Sequence, residues 1–295
     1  AINFPDTLII RDLYQFKPPR PFSPGGEISG TIAALGEGVT GWSVGDRVIA
    51  GTGSGGLREQ ITLQAARLFR VPDGIDLVEA SALLMTYGTT IHGLKDRGDI
   101  AAGQTVLVLG AAGGVGLSAV ELAKAWGCRV VAAVSSEEKA AVAREAGADE
   151  TVIYGRPPFD RDQSKALAQQ FKDAVGPNGA DIVYDVVGGD YSEPALRAIA
   201  WEGRFLVVGF PAGIARMPLN LTLLKSCDIR GVFWGAFTAR EPGKNAAHIA
   251  ELFDLWKAGK IRPRISETYP LARAHEAIAK LESRQAIGKL VVTMD

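Results

Sequence analysis

The segment Gly110-Ala111-Ala112-Gly113-Gly114-Val115-Gly116 separates the apolar run Thr105 to Leu109 from the helix-periodic stretch Leu117 to Trp126. It matches G-x-G-x-x-G with Ala111 in the place of the first glycine. Glycines at a strand-to-helix turn let backbone approach a pyrophosphate, and the helix start offers free N–H groups at the positive end of its dipole. Ala112, Gly113, Gly114 and Val115 are therefore the expected dinucleotide-binding residues; a turn serving only helix-strand packing is the alternative. About 20 residues further on, an acid should close the next strand if the ribose 2′-hydroxyl of NAD is bound. The strand closes instead on Val134-Ser135-Ser136, with Lys139 one turn later. Two hydroxyls and a lysine suit a 2′-phosphate, so Ser135, Ser136 and Lys139 predict NADPH. Two other readings stay open. Ser135 with Glu138 spells a capping box beside an exposed lysine, and Glu137 is near enough in sequence to take the acid's role and bind NAD.

Metal chemistry has little to build on. The three histidines, His92, His248 and His275, and the two cysteines, Cys128 and Cys227, share no metal-ligand spacing.

The elements that must hold these residues fall into two styles. From Ala1 to about Leu84, short β-like runs such as Gly30 to Leu35, Asp46 to Ala50 and Leu57 to Leu63 are broken by glycine and proline. From Thr105 the order is strand, turn, amphipathic helix, strand, repeated. Strands are expected at Thr105 to Leu109, Arg129 to Val134, Thr151 to Tyr154, Asp181 to Val187, Arg204 to Phe210 and Ile229 to Trp234. Helices are expected at Leu117 to Trp126, Glu137 to Ala146, Lys165 to Val175, Pro194 to Ala200 and Ala246 to Ala258. Six parallel strands fit the doubly wound order, so the fold class is α/β with a Rossmann sheet. The tail, with a helix at Ala272 to Ser283 and a strand at Lys289 to Thr293, is expected to rejoin the first domain.

Composition narrows the function. With 32 basic against 33 acidic residues and no long block of either sign, no nucleic-acid face is expected. No apolar run is long enough to span a bilayer, and Ala1 to Ile10 lacks the pattern of a secretory leader. A soluble cytoplasmic protein without a membrane partner is expected, since two separated cysteines suit a reducing compartment.

Several runs together resemble a known family. They are INFPDTLI at Ile2 to Ile9, PGGEISG at Pro24 to Gly30, GDRV at Gly45 to Val48 and MTYGTTIHGL at Met85 to Leu94, followed by VLVLGAAGGVG at Val106 to Gly116 and YDVVGG at Tyr184 to Gly189. Their order and content resemble the medium-chain dehydrogenase/reductase superfamily, most nearly its zinc-free quinone oxidoreductase branch. The resemblance implies a GroES-like β-barrel domain from residues 1–87 and 260–295, a Rossmann domain from 88–259, and a homodimer or homotetramer joined through the last Rossmann strand. It places Thr89 near the nicotinamide and Tyr154 against the adenosine ribose phosphate. Val187, Gly209, Phe210, Phe233, Trp234 and Gly235 fall at the strand ends where the cofactor binds; Trp234 is otherwise a core or interface aromatic. Tyr14 is implied as proton donor or substrate-positioning residue, with an aromatic plug of the barrel as the alternative. Asn3 and Asp6 match polar positions that orient nicotinamide or substrate, although Asp6 after Pro5 also suits a turn.

Two departures from the family matter. Gly25-Gly26-Glu27 stands where the zinc alcohol dehydrogenases carry Gly-His-Glu, so no metal is expected. The chain also opens at a motif that in the family follows a few dozen residues of barrel, so Ala1 is not expected to begin the domain. The implied function is an NADPH-dependent reductase of quinones or conjugated enones and enals, because a metal-free site suits an acceptor that is already activated. The alternatives are an enoyl-thioester reductase, with Arg58, Arg67 and Arg70 as parts of a basic surface, and a non-catalytic NADPH-binding protein.

Overall fold

The computed structural model describes residues 1–294. In chain order it opens with a short helix α1 (Phe4–Ile9), strands β1 (Glu27–Thr31), β2 (Arg47–Gly51) and β3 (Leu68–Arg70), and helix α2 (Leu77–Ala80). Two π-helical stretches, Leu84–Gly88 and His92–Arg97, flank the single turn α3 (Thr89–Ile91). Next come β4 (Thr105–Leu109), α4 (Gly114–Ala125), β5 (Arg129–Val134), α5 (Glu137–Glu145), β6 (Glu150–Ile153), α6 (Arg161–Val175) and β7 (Ala180–Asp185). After these come α7 (Ser192–Arg197), β8 (Ile199–Val207), α8 (Asn220–Lys225), β9 (Asp228–Gly231), α9 (Trp234–Arg240) and α10 (Pro242–Lys257). The tail supplies β10 (Ile265–Pro270), α11 (Ala274–Glu282) and β11 (Lys289–Thr293).

The chain divides into two compact units. One takes Ala1–Thr86, Ile249–Phe253 and the tail from Arg262; the other takes Tyr87–His248 and Asp254–Ile261. In the second unit six parallel strands run in the order β6-β5-β4-β7-β8-β9, so the order reverses between β4 and β7. That reversal opens a crevice at the C-terminal ends of the strands, where ligands of open α/β sheets bind. The strands are continuous apolar runs because helices cover both faces; Leu107, Leu109, Val131, Val183 and Phe205 sit in one buried cluster with Phe171 of α6 and Leu196 of α7. In the first unit β1, β2 and β3 form an antiparallel sheet, β10 and β11 a parallel pair, and Ile2 bridges to Leu290. Ile2, Leu290, Tyr269 and Ile278 centre its core.

Some expected boundaries move. Leu57 to Leu63 forms no strand, because the Leu57 N–H donates to the Pro24 carbonyl at 2.9 Å and its own carbonyl accepts from Ser23 Oγ at 2.8 Å. A loop has taken the groups a neighbouring strand would need. Gly30 to Leu35 contributes only its first two residues to β1, which pairs from Glu27↔Gly51 to Thr31↔Arg47. The expected helix over Pro194 to Ala200 stops at Arg197, since Ile199 already pairs with Ala180 and begins β8. The last strand ends at Gly231 rather than Trp234, so Phe233, Trp234 and Gly235 open helix α9 instead. No helix among the described residues is long and apolar enough to cross a membrane.

Candidate active site

The glycine turn does what its sequence demands. Gly110 has φ +70°, and a Cβ at Gly116 would lie 2.1 Å from the Gly110 carbonyl oxygen, so the turn closes only on glycine there. Helix α4 starts directly from Gly113 with no side-chain cap. The first three N–H groups, of Gly114, Val115 and Gly116, have no intrahelical carbonyl to bind and sit at the positive end of a twelve-residue helix. Across the reversal point the Val186 and Val187 side chains press on Gly110, where an added Cβ would meet them at 2.9 and 2.8 Å. The loop after β7 is held by Asp185, which accepts from the N–H groups of Val187 and Gly188, both at 2.8 Å, and from Ser192 Oγ at 2.6 Å. Burial raises the Asp185 carboxyl, and these three donors pull it back. Gly209 and Phe210 follow β8 beside this loop; a Cβ at Gly188 would touch Phe210 Cβ at 2.7 Å.

At the end of β5 the expected residues come together and gain one. Lys139 Nζ donates to Ser135 Oγ at 3.3 Å. The Lys139 ammonium is pushed below its usual range by burial first and then by the Arg156 guanidinium, while Glu138 pulls it up. Arg156 is exposed and has no ion pair among the described residues. The Arg156 guanidinium is thus near enough to act on the Lys139 charge, and an anion at this place would relieve that repulsion. The cap of α5 is Ser136, whose Oγ accepts from Lys139 N at 3.3 Å, so the capping role expected of Ser135 falls to the next residue. Glu137 pairs with Arg144 at 2.6 Å.

The other cofactor candidates sit as follows. Thr89 is half-buried at the start of α3. Tyr154 is buried in the core with its ring 4.5 Å from that of Tyr191, so its ring serves packing rather than standing open to a ligand. Phe233 is 56% exposed, whereas Trp234 is buried over Gly88 and donates from Nε1 to Asn245 Oδ1 at 3.2 Å. Trp234 is thus held as a core aromatic.

In the first unit, Tyr14 is half-buried in the turn after α1, between exposed Leu13 and near exposed Phe16. Burial raises its phenol, which therefore stays protonated at neutral pH. Asn3 and Asp6 belong to the frame rather than to an open surface. Asp6 accepts from Asn3 N at 2.8 Å and Gly25 N at 2.9 Å; Asn3 donates to Glu27 Oε1 at 2.7 Å and accepts from Lys289 Nζ at 2.5 Å. Their polar atoms are occupied, which corrects the expectation that they orient nicotinamide or substrate by direct contact. A side chain at Gly26 would crowd Met85 Cε at 3.3 Å. No group of three or more His, Cys, Asp or Glu among the described residues is placed to hold a metal. His92 bonds through Nδ1 to Asp96 at 2.8 Å and stacks on Phe237 at 4.0 Å, a packed histidine. Arg70, of the three arginines considered for a basic surface, pairs with Asp46 at 2.7 Å and lies 4.7 Å over Trp42.

Asp185, Arg156, Thr90 and Ser118 were not singled out from sequence. Asp185 lies inside the YDVVGG run, whereas Arg156 follows β6 with no motif to mark it.

Comparison with known proteins agrees with this geometry. Residues 1–73 match the family described as alcohol dehydrogenase GroES-like domain, and residues 114–251 match that described as zinc-binding dehydrogenase. The chain is 36% identical over 296 residues to a quinone oxidoreductase-like protein 2 homolog of Nematostella vectensis, covering 99% of this chain and 79% of that one. Mycobacterial Rv1454c, solved with NADPH, superposes with a TM-score of 0.89 at 33% identity over 99% of this chain and 88% of its own. Escherichia coli quinone oxidoreductase, also solved with NADPH, gives 0.88 at 28% identity, again over 99% and 88%. A glycine cradle at the reversal of a doubly wound sheet, continuous with a GroES-like unit and with relatives along its whole length, makes this chain an oxidoreductase of the medium-chain dehydrogenase/reductase superfamily, in its quinone oxidoreductase branch.

Proposed function

We propose that the protein is an NADPH-dependent reductase that delivers hydride to quinones or to C=C bonds conjugated with a carbonyl, without a metal. The observation that carries the cofactor is the Lys139–Ser135 hydrogen bond at the end of β5, with the Arg156 charge acting on Lys139, while Glu137 pairs with Arg144. The NADPH complexes of mycobacterial Rv1454c and the Escherichia coli enzyme support it. Gly113, Gly114 and Val115 with Ala112 would hold the pyrophosphate, Ser135, Ser136, Lys139 and Arg156 the 2′-phosphate, and Thr89, Val187, Gly209, Phe210, Phe233 and Gly235 the nicotinamide end. NADPH supplies the hydride. Residues 88–259 are assigned to the cofactor and 1–87 with 260–295 to the acceptor. The exposed edge of β9, with Phe233 and the exposed Leu219, Leu223 and Leu224 near it in sequence, supports a homodimer or homotetramer, and two buried free cysteines suit the cytoplasm.

The acceptor class follows from what can polarise a carbonyl. Tyr14 is the hydroxyl donor we assign to the acceptor oxygen, and a neutral phenol stabilises an enolate or hydroquinone oxygen far more readily than it activates a plain ketone. Asn3 and Asp6 act as positioning residues that hold α1 and the turn carrying Tyr14. The test is NADPH oxidation with a panel of quinones, enals, enoyl-thioesters and saturated ketones. Quinones or enals should turn over and cyclohexanone should not; brisk reduction of cyclohexanone overturns the acceptor class, and no turnover with any acceptor favours a binding protein. Tyr14→Phe should lower kcat/KM about ten- to a hundredfold while NADPH affinity holds, since only one hydrogen bond to the acceptor is lost.

Gly26 leaves the metal reading without a ligand. Purified protein should contain far less than one zinc per chain by elemental analysis and keep its activity in chelator; stoichiometric zinc lost together with activity would refute metal independence.

A further inference from the structure

Inside the dinucleotide-binding unit a line of oxygens runs from β7 to α4 without reaching solvent. The Tyr184 hydroxyl donates to Thr90 Oγ1 at 3.0 Å, Thr90 Oγ1 lies 2.7 Å from Ser118 Oγ, and Ser118 Oγ donates to the Val115 carbonyl at 2.9 Å. All three side chains belong to fully buried residues. Thr90 Oγ1 also lies 3.4 Å from the Val115 carbonyl, so either hydroxyl can supply the proton shared by Thr90 and Ser118. In both arrangements each of the three hydroxyls donates once and the line closes on the Val115 carbonyl. Burial pushes the Tyr184 phenol up more than its bond to Thr90 lowers it, which keeps it a donor. Gly93 leaves room for the ring, since a Cβ there would stand 3.0 Å from Tyr184 Cε2.

What the chain joins gives it a role beyond packing. Thr90 follows Thr89 directly, Val115 and Ser118 lie in the first turns of the helix that starts from the glycine cradle, and Tyr184 precedes Asp185, which holds the Val187 loop. An apolar joint would carry a smaller desolvation cost but would tolerate sliding, whereas hydrogen bonds fix both length and angle. On the NADPH reading above, we propose that Tyr184, Thr90 and Ser118 are positioning residues for hydride transfer. They hold Thr89 and Val187 in register with the pyrophosphate cradle, and so set where the nicotinamide ring rests rather than how tightly the dinucleotide is held.

The test uses the whole protein with Tyr184→Phe, Ser118→Ala, Thr90→Val and the conservative Thr90→Ser. Four quantities are measured: NADPH affinity, the fluorescence yield of the bound dihydronicotinamide, kcat, and the isotope effect with NADPH deuterated at the transferred position. Tyr184→Phe and Ser118→Ala should change affinity by less than about threefold, shift the fluorescence yield, and lower kcat about tenfold with a larger isotope effect, as a misplaced reacting group does. Thr90→Ser keeps the oxygen and should stay within about twofold of the parent, whereas Thr90→Val should not. Parent-like kcat, fluorescence and isotope effect in the variants, whatever their melting temperatures, overturn the inference alone. Affinity falling about tenfold with kcat unchanged also overturns it, because the chain would then hold rather than place. A parent protein that binds no NADPH overturns the cofactor reading and this inference with it.

Discussion

Replacing Lys139 and Arg156 together with alanine is expected to erase the preference for NADPH over NADH. Each cation offers a charge-assisted hydrogen bond to the 2′-phosphate worth about 1.5 to 3 kcal/mol, or roughly ten- to a hundredfold in affinity. The two share one anion, so their losses do not add, and the double variant should lose about a hundred- to a thousandfold for NADPH. NADH has nothing at that place to lose, so its affinity should move by less than about threefold. Fluorescence titration with both dinucleotides reads the ratio. A parallel fall for NADH would mean that the pair supports the fold or the shared part of the cofactor. Proximity to Arg156 already holds the Lys139 ammonium below its ordinary range, after the larger effect of burial. Anion binding between them should therefore raise it, and NADPH binding should weaken with added salt.

The second large effect is on stability. Lys289 is buried and its Nζ donates to the Ile2 carbonyl at 3.0 Å, Asn3 Oδ1 at 2.5 Å and Glu27 Oε1 at 3.1 Å. Glu27, equally buried, also accepts from Asn3 Nδ2 at 2.7 Å and the Met85 N–H at 2.8 Å. Lys289→Met leaves a carboxylate in an apolar interior without its cation, and breaking one side of such a pair costs about 3 to 5 kcal/mol. Glu27→Gln with Lys289→Met removes both charges at once and is expected to cost less than Lys289→Met alone. Urea unfolding followed by a probe in the first unit compares the three proteins. A single variant no less stable than the double would show that the pair is not what holds α1, β1 and β11 together.

The dinucleotide-binding half was readable because parallel strands covered on both faces are unbroken apolar runs, and the turn between β4 and α4 closes only with glycine at 110 and 116. The antiparallel half read poorly. Leu57 to Leu63 alternates like a strand, yet its backbone groups go to Ser23 and Pro24, partners that no local pattern marks. Asn3 and Asp6 drew notice for their chemical types, but what settles their role is Glu27, 24 residues away from Asn3, and Lys289, 286 away. Arg156 escaped for a related reason. It follows β6, which pairs with β5, and its charge acts on Lys139; pairing across strands is invisible to a reading that follows one segment at a time.

The bridge between Ile2 and Leu290 sets a timetable for synthesis. The first unit draws on sequence before and after the second, whereas the second is complete once Ile261 has emerged. On the ribosome the dinucleotide-binding unit can condense while α1 and β1 are still waiting for β11, holding Ile2 and Glu27 exposed to water in the meantime. The closure of the first unit is a contact between residues nearly three hundred positions apart, and such distant contacts form slowly. The segment carrying α1 and β1 therefore waits long for its partner strand, and a truncation that removes β11 should leave the first unit unfolded while the second folds.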